Sequence, residues 1–191
     1  MKPNFRIALA ACAAILLAGG LFWLARPAGE AGIGGPFQLE GADGHAVTDR
    51  AFRGKYMLVY FGYATCPDVC PTTLADVAAA LDALGARGAA VQPVFITIDP
   101  ARDTPAVLGP YVANFSPRFV GLTGTAEQVA AVAREYRVYY ARHRTGDGPN
   151  DYTMDHSSIL YLMGPDGAFI TPIPADEPPA AMAADIARHL A

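Results

Sequence analysis

Cys66 and Cys70 stand four residues apart within Tyr60-Phe61-Gly62-Tyr63-Ala64-Thr65-Cys66-Pro67-Asp68-Val69-Cys70-Pro71. Thiols at that spacing can do two kinds of chemistry. Residues four apart on a helix have Cβ atoms about 5–6 Å apart, so both sulfurs can serve one soft metal ion. They can equally close a disulfide, which accepts Cα separations of roughly 4.4–6.8 Å. A purely structural bridge is the weaker reading, because closing so short a loop constrains the unfolded chain comparatively little. Choosing between metal and redox work needs a third residue.

The elements around the pair follow from pattern. Residues 57–61 are an apolar run that reads as a buried strand, broken at Gly62. Pro71 suits the first turn of a helix, where its missing N–H has no partner to lose. Leu74, Val77, Ala78, Leu81 and Leu84 then keep helical spacing. Strand, short loop and helix place both thiols at or just before a helix N-terminus, where free N–H groups and the helix dipole favour thiolates.

The rest of the chain supplies alternating strands and helices. A hairpin is expected across Ala42-Asp43-Gly44-His45, with His45 solvated in its turn. Residues 91–98 read as a second buried strand ending in Asp99-Pro100. Thr104-Pro105 opens a helix, residues 119–122 form a short strand, and Thr125-Ala126-Glu127-Gln128 is a capping-box pattern for the next helix. Residues 138–141 suit another strand, and 143–151 a polar loop. Strands at 159–163 and 168–171 flank the turn Gly164-Pro165-Asp166-Gly167. A helix carrying Met182, Ile186 and Leu190 closes the chain. This order indicates an α/β domain with a central, largely parallel sheet covered on both faces and a late antiparallel hairpin.

The N-terminal part has another character. Residues 1–6 carry Lys2 and Arg6, and 7–25 contain no charge. At about 1.5 Å per residue, about 19 residues reach close to 30 Å, the depth of a bilayer core. We read 1–6 as a cytoplasmic flank, 7–25 as an uncleaved transmembrane anchor, 26–36 as a flexible tether and 37–191 as the folded domain. Trp23 and Arg26 suit an interfacial position. Cleavage as a signal peptide is the alternative; either way the domain lies outside the cytoplasm. Cys12 falls within the anchor, leaving Cys66 and Cys70 as the cysteines of the exported domain. A net charge of −4 with few basic residues gives no nucleic-acid footprint. No phosphate-binding glycine loop or dinucleotide fingerprint occurs.

An ordered set of motifs carries a resemblance. It comprises the cysteine segment, Ile98-Asp99-Pro100-Ala101-Arg102-Asp103-Thr104, Val120-Gly121-Leu122-Thr123-Gly124, Tyr136-Arg137-Val138-Tyr139-Tyr140, Asp155-His156-Ser157 and Gly164-Pro165-Asp166-Gly167. Together they resemble the Sco/SenC family of membrane-anchored, thioredoxin-like copper chaperones that help assemble the copper site of cytochrome c oxidase. The resemblance implies a thioredoxin-like fold, with an N-terminal hairpin and a single transmembrane helix preceding it, and a domain on the periplasmic side of a bacterial inner membrane. It also implies copper, as Cu(I) and Cu(II), held by Cys66, Cys70 and His156. The expected partners are the copper-receiving subunit of the oxidase and another copper chaperone as donor.

The donor types agree with that metal: thiolate suits Cu(I), and imidazole accommodates Cu(II) as well. A lone histidine before a strand ordinarily lies at the surface. His156 precedes Ser157-Ser158 and an apolar strand expected beside the cysteine strand, so it can reach the cysteine loop. His143, in a polar loop, and His189, in the last helix, are poorer candidates. Asp99, Asp155 and Asp68 are secondary candidates. Asp155 is expected to orient His156 through its other ring nitrogen. Asp99 could be a nearby acid or simply a turn residue, and Asp68 could tune the thiolates or fill an exposed loop position. Met57 and Met154 read as packing, and Tyr63 as part of a docking rim. The competing function is an exported thiol–disulfide oxidoreductase with Cys66 and Cys70 as its redox dithiol, reducing the cysteines of the copper-receiving subunit. A copper or redox sensor is a third reading. Pro172, Pro174, Pro178 and Pro179 depart from the family pattern and leave the last strand's extent open.

Overall fold

The structure is a computed structural model, and it describes residues 32–190. The expected anchor and the tether up to residue 31 lie outside the described residues. No helix among the described residues is long and apolar enough to cross a membrane.

One seven-stranded sheet organises the domain. Its strands are β1 (Gln38–Gly41), β2 (Ala46–Thr48), β3 (Tyr56–Gly62), β4 (Val91–Thr97), β5 (Val120–Thr123), β8 (Ile159–Met163) and β9 (Phe169–Pro174), in the order β2-β1-β5-β4-β3-β8-β9. The apolar run expected as a strand is β3, near the sheet's middle. It pairs in parallel with β4 through Phe61 and Ile96, and antiparallel with β8 through Val59 and Tyr161. The sheet is therefore mixed, with its parallel core at β3, β4 and β5. β9 lies at an edge, which explains its prolines: Pro172 and Pro174 face Tyr161 and Ile159 there, and a missing N–H on the outer side costs no ladder bond.

Side-chain alternation sorts the helices between the faces. Tyr60 and Gly62 share one face with Phe95; against it pack α1 (Val69–Ala83), which brings the Cys70 sulfur to Gly62, and α2 (Pro105–Ala113), through Tyr111. Phe61 and Tyr161 point the other way and meet Tyr136 at the end of α3 (Ala126–Glu135). The capping box of α3 is present, with Thr125 and Gln128 satisfying each other's backbone N–H. α4 (Pro179–His189) packs on α1 and β9. In α1 the expected stripe is realised: Leu74, Val77 and Leu81 are buried. This is the α/β, thioredoxin-like arrangement, a central mixed sheet with helices on both faces. Of the residues expected as tether, Gly34 lies against the domain, donating its N–H to the Glu135 carbonyl at 2.8 Å.

The segment read as strand and polar loop is built differently. Residues Tyr140–Arg144 form β6 and Tyr152–His156 form β7, a separate two-stranded antiparallel ribbon outside the main sheet. His156 is the last residue of β7, not a loop residue. Ser157 and Ser158 then lead directly into β8, beside β3.

Candidate metal centre

β3 ends at Gly62, a position where nothing larger fits. A Cβ there would stand 2.8 Å from the Cys70 sulfur and 2.9 Å from the Phe95 ring. The chain then turns through Tyr63 and Ala64, and the Cys66 N–H bonds the Tyr63 carbonyl at 3.2 Å. Helix α1 starts at Val69, so Cys66 precedes it and Cys70 sits in its first turn. The Cys70 N–H, one of the donors that a helix start leaves free, points at the Cys66 sulfur at 3.5 Å. Cys70 is wholly buried and Cys66 partly so; both are free thiols.

His156 arrives from the ribbon. Its Nε2 lies 3.4 Å from the Cys70 sulfur. Its ring packs edge-on against Tyr60 and Tyr63, with centroids 5.8 and 6.2 Å away. Nδ1 lies 3.1 Å from the Ser157 carbonyl oxygen. That oxygen only accepts, so Nδ1 carries the hydrogen and Nε2 presents a lone pair towards the sulfurs. One ligand atom each from Cys66, Cys70 and His156 fall within 4.8 Å of one another. With metal–sulfur and metal–nitrogen bonds of about 2.3 and 2.0 Å, three donors around one ion would lie roughly 3.7–4.0 Å apart. The three donors thus need shifts of about an ångström or less to share an ion. Among the described residues this is the one such group of His, Cys, Asp and Glu side chains.

The electrostatics distinguish the two sulfurs. Cys66 is lowered to about 3, first by the hydrogen bond from the Cys70 thiol and then, against partial burial, by the N–H groups of Asp68 and Cys70. Cys70 is pushed up by its bond to Cys66 and by burial. The reduced pair therefore holds one thiolate at the rim and one protonated thiol inside. A cleft of about 300 Å³ opens beside them, bordered by Tyr63, Cys66, Asp68, Met154 and His156.

The acids expected nearby are placed otherwise. Asp155 does not orient His156. Neighbouring residues of a strand point to opposite faces, and its carboxylate pairs with His143 at 2.8 Å, leaving Nδ1 to the Ser157 carbonyl. Asp99 is 2 % exposed and turned away from the sulfurs, bonding Arg102 at 2.5 Å and the Tyr152 hydroxyl at 2.8 and 3.0 Å. Asp68 is exposed at the N-cap of α1 and touches Cys66 through its backbone N–H. Met154 lines the cleft, whereas Met57 is core. His45 is exposed beside Asp43. Sequence reasoning missed Tyr60, whose ring packs on His156 from inside the core; the signal available was its place two residues before Gly62 on the same face of β3.

Fold and site together define a class: a thioredoxin-like domain whose dithiol converges with one imidazole lone pair. The profile of the SCO1/SenC family matches residues 25–191. The chain is 46% identical over 144 residues to Protein SCO1 homolog 1, mitochondrial, of Arabidopsis thaliana, covering 75% of this chain and 42% of that protein. It is 42% identical over 167 residues to Protein SCO1 homolog, mitochondrial, of Homo sapiens, covering 86% of this chain and 55% of that one. Among solved structures, copper-bound ScoI of Bradyrhizobium japonicum matches with a TM-score of 0.75 and 46% identity, covering 83% of this chain and 99% of that chain. Copper-bound yeast Sco1 matches with a TM-score of 0.77 and 39% identity, covering 83% and 88%. The chain belongs to the SCO1/SenC family. It spans about half the length of the curated relatives it matches.

Proposed function

We propose that this protein is a copper chaperone that binds the ion through Cys66, Cys70 and His156 and passes it to the copper-receiving subunit of cytochrome c oxidase. The observation that carries the reading is the convergence of two sulfurs and an imidazole lone pair within 4.8 Å, a donor set that suits copper in both oxidation states. Copper is the cargo. Three protein donors leave one side of the ion open at the cleft, so an incoming thiolate or imidazole can bind before a chaperone ligand departs, and the ion moves without being released. Another copper chaperone is the donor. Residues 7–25 anchor the domain on the periplasmic side of the membrane and raise its effective concentration towards a membrane-bound acceptor.

The test is titration with copper, with and without reductant. Cys66→Ser and Cys70→Ser are expected to abolish tight binding of either ion. His156→Ala is expected to weaken Cu(II) selectively, because two thiolates still hold Cu(I), and to alter the thiolate-to-Cu(II) absorption. Undiminished binding of both ions in His156→Ala would remove it from the ligand set.

A second reading has its own support. One ionised and one protonated thiol at a helix start is the arrangement that dithiol exchange uses. A protein that reduces the acceptor's disulfide as fast in His156→Ala as in the parent, while failing to retain copper, would make exchange the primary role.

A further inference from the structure

Each arm of the centre is tied to one turn, residues 98–104, between β4 and α2. We propose that Arg102 is a positioning residue which, through this turn, sets the distance between the imidazole and the dithiol. The inference rests on the ligand set proposed above.

The turn is anchored first to the sheet. Thr97 ends β4, and its hydroxyl accepts from the Asp99 N–H at 2.9 Å while donating to Asp103 Oδ2 at 2.6 Å. The Asp103 carbonyl accepts from the Thr123 hydroxyl of β5 at 2.7 Å. Asp103 is wholly buried, and these bonds tie this end of the turn to β4 and β5.

From that base it grips the cysteine arm. Asp103 Oδ2 also accepts from the Ala64 N–H at 2.9 Å, two residues before Cys66. A carboxylate accepting both a hydroxyl and an N–H inside the protein fixes where the loop leaves β3.

It grips the histidine arm on the other side. Arg102 donates Nε to Asp99 at 2.5 Å, and its Nη1 donates to the carbonyls of Asn150 and Tyr152 at 3.3 and 3.1 Å. Its guanidinium lies 3.7 Å from the centre of the Tyr152 ring, whose hydroxyl returns to Asp99. Arg142 covers the same ring at 3.9 Å. Tyr152 is thus held between two cations at the start of β7, and that strand ends at His156. The ribbon has no ladder to the main sheet, so its position depends on these contacts, on the Tyr63 hydroxyl at the Met154 backbone, and on the packing of Met154 and the His156 ring against the core. A planar fork that bonds a carboxylate and carbonyls while stacking on a ring is a task lysine does not perform.

If Arg102 acts through His156, its loss must weaken the oxidation state that needs imidazole. Competition with chelators for cupric sulfate, and for Cu(I) under ascorbate, measures both. Arg102→Gln is expected to lose about tenfold in Cu(II) affinity, the scale on which groups behind a metal ligand act, with Cu(I) affinity unchanged and altered nitrogen hyperfine structure in the Cu(II) electron paramagnetic resonance spectrum. Arg102→Lys should not restore it. Tyr152→Phe removes only the hydroxyl tie to Asp99, keeps the packing and should show a smaller loss in the same direction; it carries the test if Arg102→Gln does not fold. In a His156→Ala background, Arg102→Gln should change nothing. Unchanged Cu(II) affinity in the folded variants, equal loss of both ions, or a loss that persists without His156 would overturn the positioning role alone. Undiminished Cu(II) binding in His156→Ala itself would overturn the ligand set, and this proposal with it.

Discussion

The hydrogen bond between Cys66 and Cys70, and then the deeper burial of Cys70, separate two sulfurs that the sequence leaves equivalent. Cys66 is held down to about 3 by the Cys70 thiol and the N–H donors at the helix start, so it is ionised throughout the neutral range; Cys70 is held up and keeps its proton there. Iodoacetamide should therefore alkylate Cys66 of the reduced, metal-free protein at pH 6 while sparing Cys70, as peptide mass mapping would read. Equal labelling would contradict the assignment. Metal binding needs both sulfurs deprotonated, so copper loading at pH 7 should release about one proton per ion from Cys70. Apparent affinity then rises with pH, because the competing proton leaves. Proton release in weakly buffered solution measures this, and none released would mean that Cys70 is already ionised in the metal-free protein. Gly62 is the third residue that decides the geometry. Gly62→Ala would press a methyl group on the Cys70 sulfur and the Phe95 ring. Overpacking of this kind costs about 1–3 kcal/mol, so chemical denaturation should show that loss and copper titration a weakened site.

Elements differ in how plainly they announce themselves. β3, β4 and α1 are readable because apolar runs, Gly62 and Pro71 mark their limits and their buried faces repeat with the right period. The capping box of α3 is readable from Thr125 and Gln128 alone. Thr125→Ala should cost about 1 kcal/mol in thermal or chemical unfolding without changing copper affinity, a control for variants near the site. The β6–β7 ribbon is only partly readable: the strand expected at 138–141 overlaps the start of β6, but His143, Arg144, Thr153 and Asp155 hide the rest in a polar run, and only Tyr152 and Met154 mark the buried face of β7. Its support is Tyr152 between Arg102 and Arg142, a long-range contact with no local signature. Missing that strand is what made Asp155 look like a partner for His156. Once β7 is known, period two sends the carboxylate to the opposite face. The edge position of β9 likewise explains prolines that resist interpretation in a strand of unknown neighbours.

At the scale of the molecule, residues from Gly32 onward form one compact unit. A chain beginning at Gly32 is therefore expected to fold and to bind copper with the affinity of the 191-residue chain, as titration of both would measure; if residues 7–25 anchor the domain as proposed, its delivery to a membrane-bound acceptor should fall with their loss. The site sits where three separate pieces of chain meet: the end of β3, the start of α1 and the end of β7. The buried wall is Cys70, with Tyr60 behind it, and the open side is the cleft at Cys66 and His156. If the protein relays copper as proposed, loading and unloading must use the same doorway. A donor and an acceptor could then not be seated there together, and the traffic would be obliged to alternate, one visitor leaving before the next arrives. In a reconstituted relay, surplus empty acceptor should slow refilling by occupying the entrance.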